Sequence, residues 1–404
     1  MKSIKIRLDL NNQERTLAAQ HAGAARYAYN WGLAKSQEAY QAGKKRPSAV
    51  DLHKSWVIHK NTEAIWAKEV SKCSPQQAFR NLDTAYKRSF RMKKVRLPRF
   101  KKKGTHDRFY LEGSIQTKGN RIKLPRMGWV RCSENVPTNV VVKNVTVSRQ
   151  ANHWFVSFKI PYAKEKQNGE KQSVVGVDLG IKTLATGSDG TIFENRRPYR
   201  QQKRKLHLAQ RQASKKYIKG KKNPNQSKNY QKAQAKVAKI HSKIACIRKD
   251  TLHQVTTQLA QNHSEVVIED LNVKGMSRNH KRSSAILDGG FYEFRRQLTY
   301  KCDWYGSKLT VVDRFYPSSK TCSGCQTIKK DLSLKERTYC CEHCGLEIDR
   351  DLNAAINLRN QSVSYTAVNA CGVSKPPDES LVGDTMKQEA DSNLITVQIG
   401  VSSA

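Results

Sequence analysis

The chain has 404 residues, 37 % of them hydrophobic, and carries 74 Lys and Arg against 34 Asp and Glu, a net charge of +40. That length allows two or three domains with a sizeable core. Such a cationic excess repels itself unless a polyanion neutralises it, and nucleic acid is the natural partner because each phosphate contact releases counterions. No apolar run of about 18 residues is present to cross a bilayer, so a membrane protein is not expected.

The first predicted element is a strand. In MKSIKIRLDL the apolar Ile4, Ile6, Leu8 and Leu10 alternate with Lys5, Arg7 and Asp9. That period of two describes a half-buried strand rather than an export signal. The expected compartment is therefore a reducing cytosol, where clustered cysteines hold metal more often than they form disulfides. Residues 16–100 read as basic helices. Phe79, Leu82, Tyr86 and Phe90 recur at steps of three and four, one helix face. Pro98 and the run KKKG at 101–104 close that region. From 109 to 160 the pattern turns to short β runs, the clearest being VVV (140–142), VTV (145–147) and WFV (154–156). Residues 1–15 and 105–172 are thus expected to form a β-rich, barrel-like module interrupted by a helical insertion at 16–104.

A polar stretch at 163–173 reads as a linker. An α/β pattern follows over 173–320 and 346–360. VVGVD (174–178) is a continuous apolar strand of the kind buried on both faces. Residues 191–193 look like its partner. Two long basic helices come next, split by the breaker-rich KGKKNPN at 219–225; Val237, Ile240, Ile244 and Ile247 form a narrow apolar seam in the second. VVIE (266–269) and LTVV (309–312) are further strands, and a last helix starts at Asp351. The tail, 361–404, has five acidic residues and two lysines and reads as flexible.

Three acids stand where carboxylates are costly: Asp178 and Glu269 end apolar strands, and Asp351 opens a helix. A carboxylate taken out of water costs several kcal/mol unless it is paired or binds a cation. Each alone is better explained by a helix cap or an ion pair. The ordered set of strand acid, strand acid and helix acid matches an RNase H-like nuclease, in which two Mg²⁺ ions activate water against a phosphodiester and leave a 5′-phosphate. Asp270 should point to the face opposite Glu269, and Asp349 is a candidate N-cap for the last helix.

Cys322, Cys325, Cys341 and Cys344 form two C-x2-C pairs fifteen residues apart, a spacing suited to one structural Zn²⁺ held by four thiolates in a ribbon at 321–345. Gly324 and Gly345 are expected at the tight turns. Cys340 is left out of the set, and His343 is expected on the surface. Cys73, Cys132, Cys246, Cys302 and Cys371 are scattered, and cysteines of that kind are more often small buried hydrophobes than ligands.

GVDLGIKTLAT, VVIEDLNVKGM, FYPSSKTCSGC, YCCEHCG and DRDLNAAINL, in that order, resemble the signature of the TnpB (OrfB) family of bacterial insertion sequences, relatives of the type V CRISPR effector nucleases. QQAFRNLDTAY, LPRFKKKG and LPRMGW fit as well, so that the resemblance spans about 1–360. It implies a RuvC-like α/β domain with a catalytic triad at Asp178, Glu269 and Asp351 and an inserted zinc ribbon. It also implies an N-terminal lobe that grips a guide RNA and double-stranded target DNA, with one protein copy per RNA. A short transposon-adjacent motif in the DNA would be read by that lobe, with Lys72 and Gln76 at the family's positions. Glutamine can bond adenine in two places in the major groove, although both residues are equally ordinary at a helix start. Two rivals stay open: a guide-independent transposase or resolvase-type nuclease, and an RNA-guided protein that binds DNA without cutting.

Overall fold

A computed structural model describes residues 1–370 apart from 93–94, 105–106, 138–139, 162–172, 221–225 and 334–335, with side chains to 362. The linker at 163–172, the breakers at 221–225 and the tail beyond 370, with Cys371, lie outside the described residues.

The N-terminal half mixes strands and helices. Strand β1 (Lys2–Leu8) pairs antiparallel with β7 (His153–Ile160) from Lys2 opposite Ile160 to Leu8 opposite Trp154. Between them come helices α1 (Asn12–Gln41), α2 (Ala49–Thr62) and α3 (Cys73–Arg91), then β2 (Arg108–Glu112), β3 (Gln116–Lys118), β4 (Arg121–Leu124), β5 (Gly128–Arg131) and β6 (Asn144–Gln150). The helices start where local chemistry caps them: Asn11 with Glu14, and Ser48 with Asp51, form capping boxes that satisfy free backbone donors on both sides. Helix α1 is alanine-rich and serves two cores. Ala18, Ala22 and Ala25 face the strands, while Ala28, Tyr29 and Leu33 face Trp56 of α2 and Phe79 and Leu82 of α3. The strands form one sheet, β1-β7-β6-β2, and a second, β3-β4-β5, over a shared apolar core. A bridge from Leu8 to Cys132 and the Asp9 amide donating to the Arg131 carbonyl (2.8 Å) join the two sheets through β1.

One expected strand is absent. Residues 141–143 carry no ladder hydrogen bonds: Val142 is buried as an anchor in the core, but Val141 is 80 % exposed. Three consecutive valines cannot all face one core, and the ladder begins only at β6.

The C-terminal half is an α/β domain. Its strands are β8 (Val175–Leu179), β9 (Thr183–Gly187), β10 (Ile192–Glu194), β11 (Glu265–Glu269) and β12 (Lys308–Val312). They lie in the order β10-β9-β8-β11-β12, with β8, β11 and β12 parallel and the β8-β9-β10 meander antiparallel. The α/β domain expected from the sequence is present, with β9 as a strand that the apolar pattern did not single out. Helices α4 (Pro198–Lys215), α5 (Lys228–Asn262), α6 (Val273–Met276), α7 (His280–Gly289) and α8 (Phe291–Tyr305) follow, then the short strands β13 (Thr338–Cys340) and β14 (Glu347–Asp349) and a closing helix α9 (Arg350–Ala370).

Alternation along the strands decides what each face holds. Val175, Val177, Val266 and Ile268 point to one side, where Leu252, Val255 and Leu259 of α5 and Phe294 and Leu298 of α8 bury them. Gly176, Asp178, Val267 and Glu269 fall on the other side, which α9 covers. Before α5 reaches the sheet, its first half pairs with α4 around Leu206, Ala213, Ala233, Val237 and Ile244, with Ile240 half-buried. The seam read from the sequence is therefore structural. It organises a helical arm in which residues 195–249 hold 19 Lys and Arg and no Asp or Glu.

Candidate active site

Asp178 and Glu269 are neighbours by register. Strands β8 and β11 pair in parallel with Val177 opposite Ile268, so the next residue of each strand is an acid on the same face. Helix α9 brings the third. A Cβ built on Gly176 would stand 2.0 Å from the Ala355 carbonyl oxygen and 2.5 Å from the Arg359 amide, so only glycine lets the helix backbone lie this close to the strand. Asp178 is two residues, about 6.6 Å, beyond Gly176 along the strand, and Asp351 one turn, about 6 Å, before Ala355 along the helix. Their charges meet at the carboxyl ends of the strands. Asp349 caps the helix there, its side chain accepting from the amides of Asp351 (2.9 Å) and Leu352 (3.1 Å), and the positive end of the helix dipole faces the acids.

The electrostatics record this crowding. Burial, then the charges of Glu269 and Asp351, push the Asp178 carboxyl up to about 8, with Arg350 opposing. Burial also raises Glu269, opposed by the Ser318 hydroxyl that donates to it. Asp270 turns away, as expected, and is held by Arg314 and Arg295, whose ion pairs keep its carboxyl low. The three acids do not close into a tight cage: among the described residues, the cysteine quartet alone has metal-type ligand atoms all within 4.8 Å of one another. Oxygen donors spread around a cleft suit a hard cation that keeps several of its own waters.

The second constellation is compact. Cys322 and Cys344 sulfurs lie 3.6 Å apart, as do those of Cys325 and Cys341, near the roughly 3.8 Å edge of a tetrahedron with 2.3 Å metal–sulfur bonds. The two knuckles repeat one pattern. Cys322 and Cys341 amides donate to the Thr327 and Leu346 carbonyls (2.9 and 2.8 Å), and the amides of Gln326 and Gly345 donate back to the Cys322 and Cys341 carbonyls. The left-handed position is the residue after the second cysteine: Gly345 at φ 73° and Gln326 at φ 63°. Gly324, expected at that turn, has ordinary φ instead. The Thr327 hydroxyl holds the Cys325 thiol down at about 5, a thiolate of the kind a soft cation needs, whereas against the opposing Leu346 amide the sulfurs of Cys325 and Cys322 push Cys344 up to about 12. His343 and Cys340 are exposed and lie outside the quartet. Cys132 and Cys302 are buried as expected of scattered cysteines, but Cys246 is exposed on α5.

Sequence comparisons place the chain among known proteins. Residues 157–280 match a family described as "Probable transposase" (OrfB_IS605), residues 291–358 a "Cas12f1-like, TNB domain", and residues 1–45 the OrfB_IS605 "Helix-turn-helix domain", which here is strand β1 and the single helix α1. A protein from Escherichia coli K12 named putative RNA-guided DNA endonuclease InsQ is 37 % identical, over 92 % of this chain and 94 % of its own. A putative RNA-guided DNA endonuclease from Streptomyces pristinaespiralis is 34 % identical, over 92 % and 91 %. The chain belongs to the TnpB (OrfB) family. Its fold is shared with a Cas12f1 chain solved with single-guide RNA and target DNA, at TM-score 0.53 and 17 % identity over 85 % of this chain and 82 % of that one.

In this TnpB-family protein Lys72 and Gln76 sit one turn apart at the start of α3, Lys72 exposed and Gln76 half-buried. The Ser74 hydroxyl, donating to the Tyr110 carbonyl (3.1 Å), pins that turn to β2. They lie on a different module from the acids, and the structure does not bring the two sets together.

Three functional neighbours were not singled out from sequence. Ser318 touches Glu269. Asn357, fully buried, donates to the carbonyls of Ser318 (2.8 Å) and Thr321 (2.6 Å). Asn353, also buried, accepts from the Ser323 amide (2.9 Å) and donates to the Thr321 carbonyl (2.7 Å). The helix that carries Asp351 is thereby fastened to the first cysteine knuckle. The signal was present in DLNAAINL, where two asparagines stand four apart on an otherwise apolar face.

Proposed function

We propose that this chain is an RNA-guided, metal-dependent DNA endonuclease of a bacterial insertion sequence, cutting double-stranded DNA beside a short transposon-adjacent motif. One observation carries the reading. Two acids stand side by side at the ends of parallel strands, a third arrives on α9, and burial, then the charges of Glu269 and Asp351, drive the Asp178 carboxyl up to about 8. A chain of net charge +40 gains nothing structural by crowding three of its few acids together, whereas divalent cations remove the repulsion.

Asp178, Glu269 and Asp351 would hold two Mg²⁺ ions, and the cysteine quartet one structural Zn²⁺. When bound, divalent cations activate water and stabilise the leaving oxygen of a phosphodiester. The residues of this chain do the rest. Ser318 fixes the rotamer of Glu269, Gly176 sets the depth at which α9 delivers Asp351, and Arg314 with Arg295 keeps Asp270 out of the cleft. Recognition is divided as in other RNA-guided nucleases: base pairing reads the target, while the protein reads duplex shape and the adjacent motif. The acid-free arm of α4 and α5 supplies cationic surface for RNA and DNA backbones. Lys72, exposed, and Gln76, half-buried one turn on at the start of α3, read the motif. The wedge module (1–15, 105–172), helical insertion (16–104), nuclease domain (173–320, 346–360), ribbon (321–345) and tail (361–404) divide this labour in one protein per guide. No helix among the described residues is long and apolar enough to cross a membrane, in keeping with work in the cytosol beside the nucleoid.

The test is purification with bound RNA, sequencing of that RNA, and a Mg²⁺-dependent cleavage assay on DNA matching its guide segment. Asp178→Ala should abolish cutting and leave RNA binding intact; continued cutting by that variant removes the triad. Full activity of RNA-free protein would favour the guide-independent transposase or resolvase. Lys72→Ala with Gln76→Ala should weaken cleavage only of duplex targets that need the adjacent motif.

A further inference from the structure

Between β12 and the first cysteine knuckle, the chain makes a turn at 313–318 that is fastened twice to the end of β11. Arg314 pairs with Asp270, and Ser318 donates to Glu269. The turn is also stiffened from within. The Phe315 amide donates to the Asp313 carboxylate (2.8 Å), the Tyr316 amide to the Asp313 carbonyl (3.1 Å), and the Ser318 amide to the Tyr316 carbonyl (2.9 Å). Between the two fastenings stands Phe315, 85 % exposed, the most exposed large apolar side chain among the described residues, ahead of Tyr40 at 83 % and Val141 at 80 %. Tyr316 beside it turns inward, its hydroxyl buried. A ring held out in water on a rigid turn adds nothing to the core, whereas its half-buried neighbour Tyr316 tucks at least its hydroxyl inside.

We infer that Phe315 is a stacking platform for an unpaired DNA base next to the phosphodiester that the acids cut. Phe315 is three residues from Ser318, so its backbone lies within about 10 Å of the residue touching Glu269. A flat apolar ring at that distance fits the face of a nucleobase, and every base offers one, so the contact tolerates any sequence. A base inside a duplex already has both faces stacked, so the ligand is single-stranded DNA. Arg314 is committed to Asp270, which leaves the ring as the part of this turn that meets the strand. The inference rests on the nuclease reading and names the strand form that its site accepts.

Two measurements test it on the RNA-loaded protein. With single-stranded target, Phe315→Ala should lower kcat/KM about tenfold, mainly through KM, and Phe315→Trp should restore it. The loss should vanish when the base flanking the cut is replaced by an abasic site. An unchanged kcat/KM, or an equal loss on the abasic strand, overturns the inference. Independently, 2-aminopurine is walked along a single strand bound to the Asp178→Ala protein. One position should be quenched with Phe315 and bright with Phe315→Ala; no such difference at any position overturns stacking. If the parent protein cuts nothing while that one-position difference persists, the nuclease reading fails and the platform stands.

Discussion

Gly176 lies directly beneath Ala355, with 2.0 Å between an added Cβ and the carbonyl oxygen of the helix. The obstacle is backbone on both sides, Ala355 and Arg359, and cannot swing aside as a side chain would. Gly176→Ala should therefore destabilise the fold by about 3 kcal/mol or more and lift α9 from β8. Urea denaturation measures the first effect. The second shows as lost cleavage even where the protein remains folded, because Asp351 rides on the same helix.

Acidity links the site to stability. With its carboxyl raised from 3.8 to about 8, folded Asp178 keeps a proton that the unfolded chain has released. Between about pH 4 and about pH 8 the folded state binds more protons, so stability falls as pH rises through that window. In EDTA the denaturation midpoint should drop across this range, and added Mg²⁺ should restore it at the upper end. Asp178→Asn should flatten the slope and leave the protein more stable than the parent at about pH 8. A slope that survives this substitution assigns the effect to other groups.

Removing zinc should reach the nuclease site. Asn353 bonds both the Ser323 amide and the Thr321 carbonyl, next to Cys322. Cys322→Ser with Cys341→Ser, or a strong chelator, should lower the melting temperature and, with Mg²⁺ returned, slow cleavage while RNA binding by the N-terminal half persists. Cleavage at the parent rate without zinc would show that the ribbon is independent of α9.

The arm predicts a salt dependence. Replacing the exposed Arg204, Arg211, Lys215, Lys232, Lys236 and Lys239 by Gln should reduce the slope of log affinity against log salt by about 0.7 for each lost contact with a single strand. The helices should stay intact by circular dichroism, since their seam is apolar. An unchanged slope places the polyanion elsewhere.

Much of this was legible in the sequence because it rests on local rules. The acids were found because a carboxylate at the end of an apolar strand is costly, and the quartet because two C-x2-C pairs have one obvious use. The seam of α5 followed from its spacing. What escaped depends on contacts across the chain. Gly176 looked like any glycine in a strand until α9 lay against it. Ser318 sits in PSSK, with no periodicity to mark it, and its role exists only because the turn returns to β11. The valines at 140–142 misled through β propensity, which says how well a residue suits a strand and not whether a partner strand is there. Gln326 takes a left-handed backbone that Gly324 seemed made for, because the knuckle's geometry fixes the position after the cysteine rather than before it.

The order in which the chain is made gives the position of Asp351 a further meaning. Asp178 leaves the ribosome early, but the helix that completes the acid set and covers Gly176 begins only at residue 350. On the proposed reading, a growing chain already carries its cationic arm while it is still being translated, yet without Asp351 it lacks the full acid set for breaking a strand. Cutting competence is withheld until Asp351 has been made, so a product truncated before that helix would be a binder without a blade.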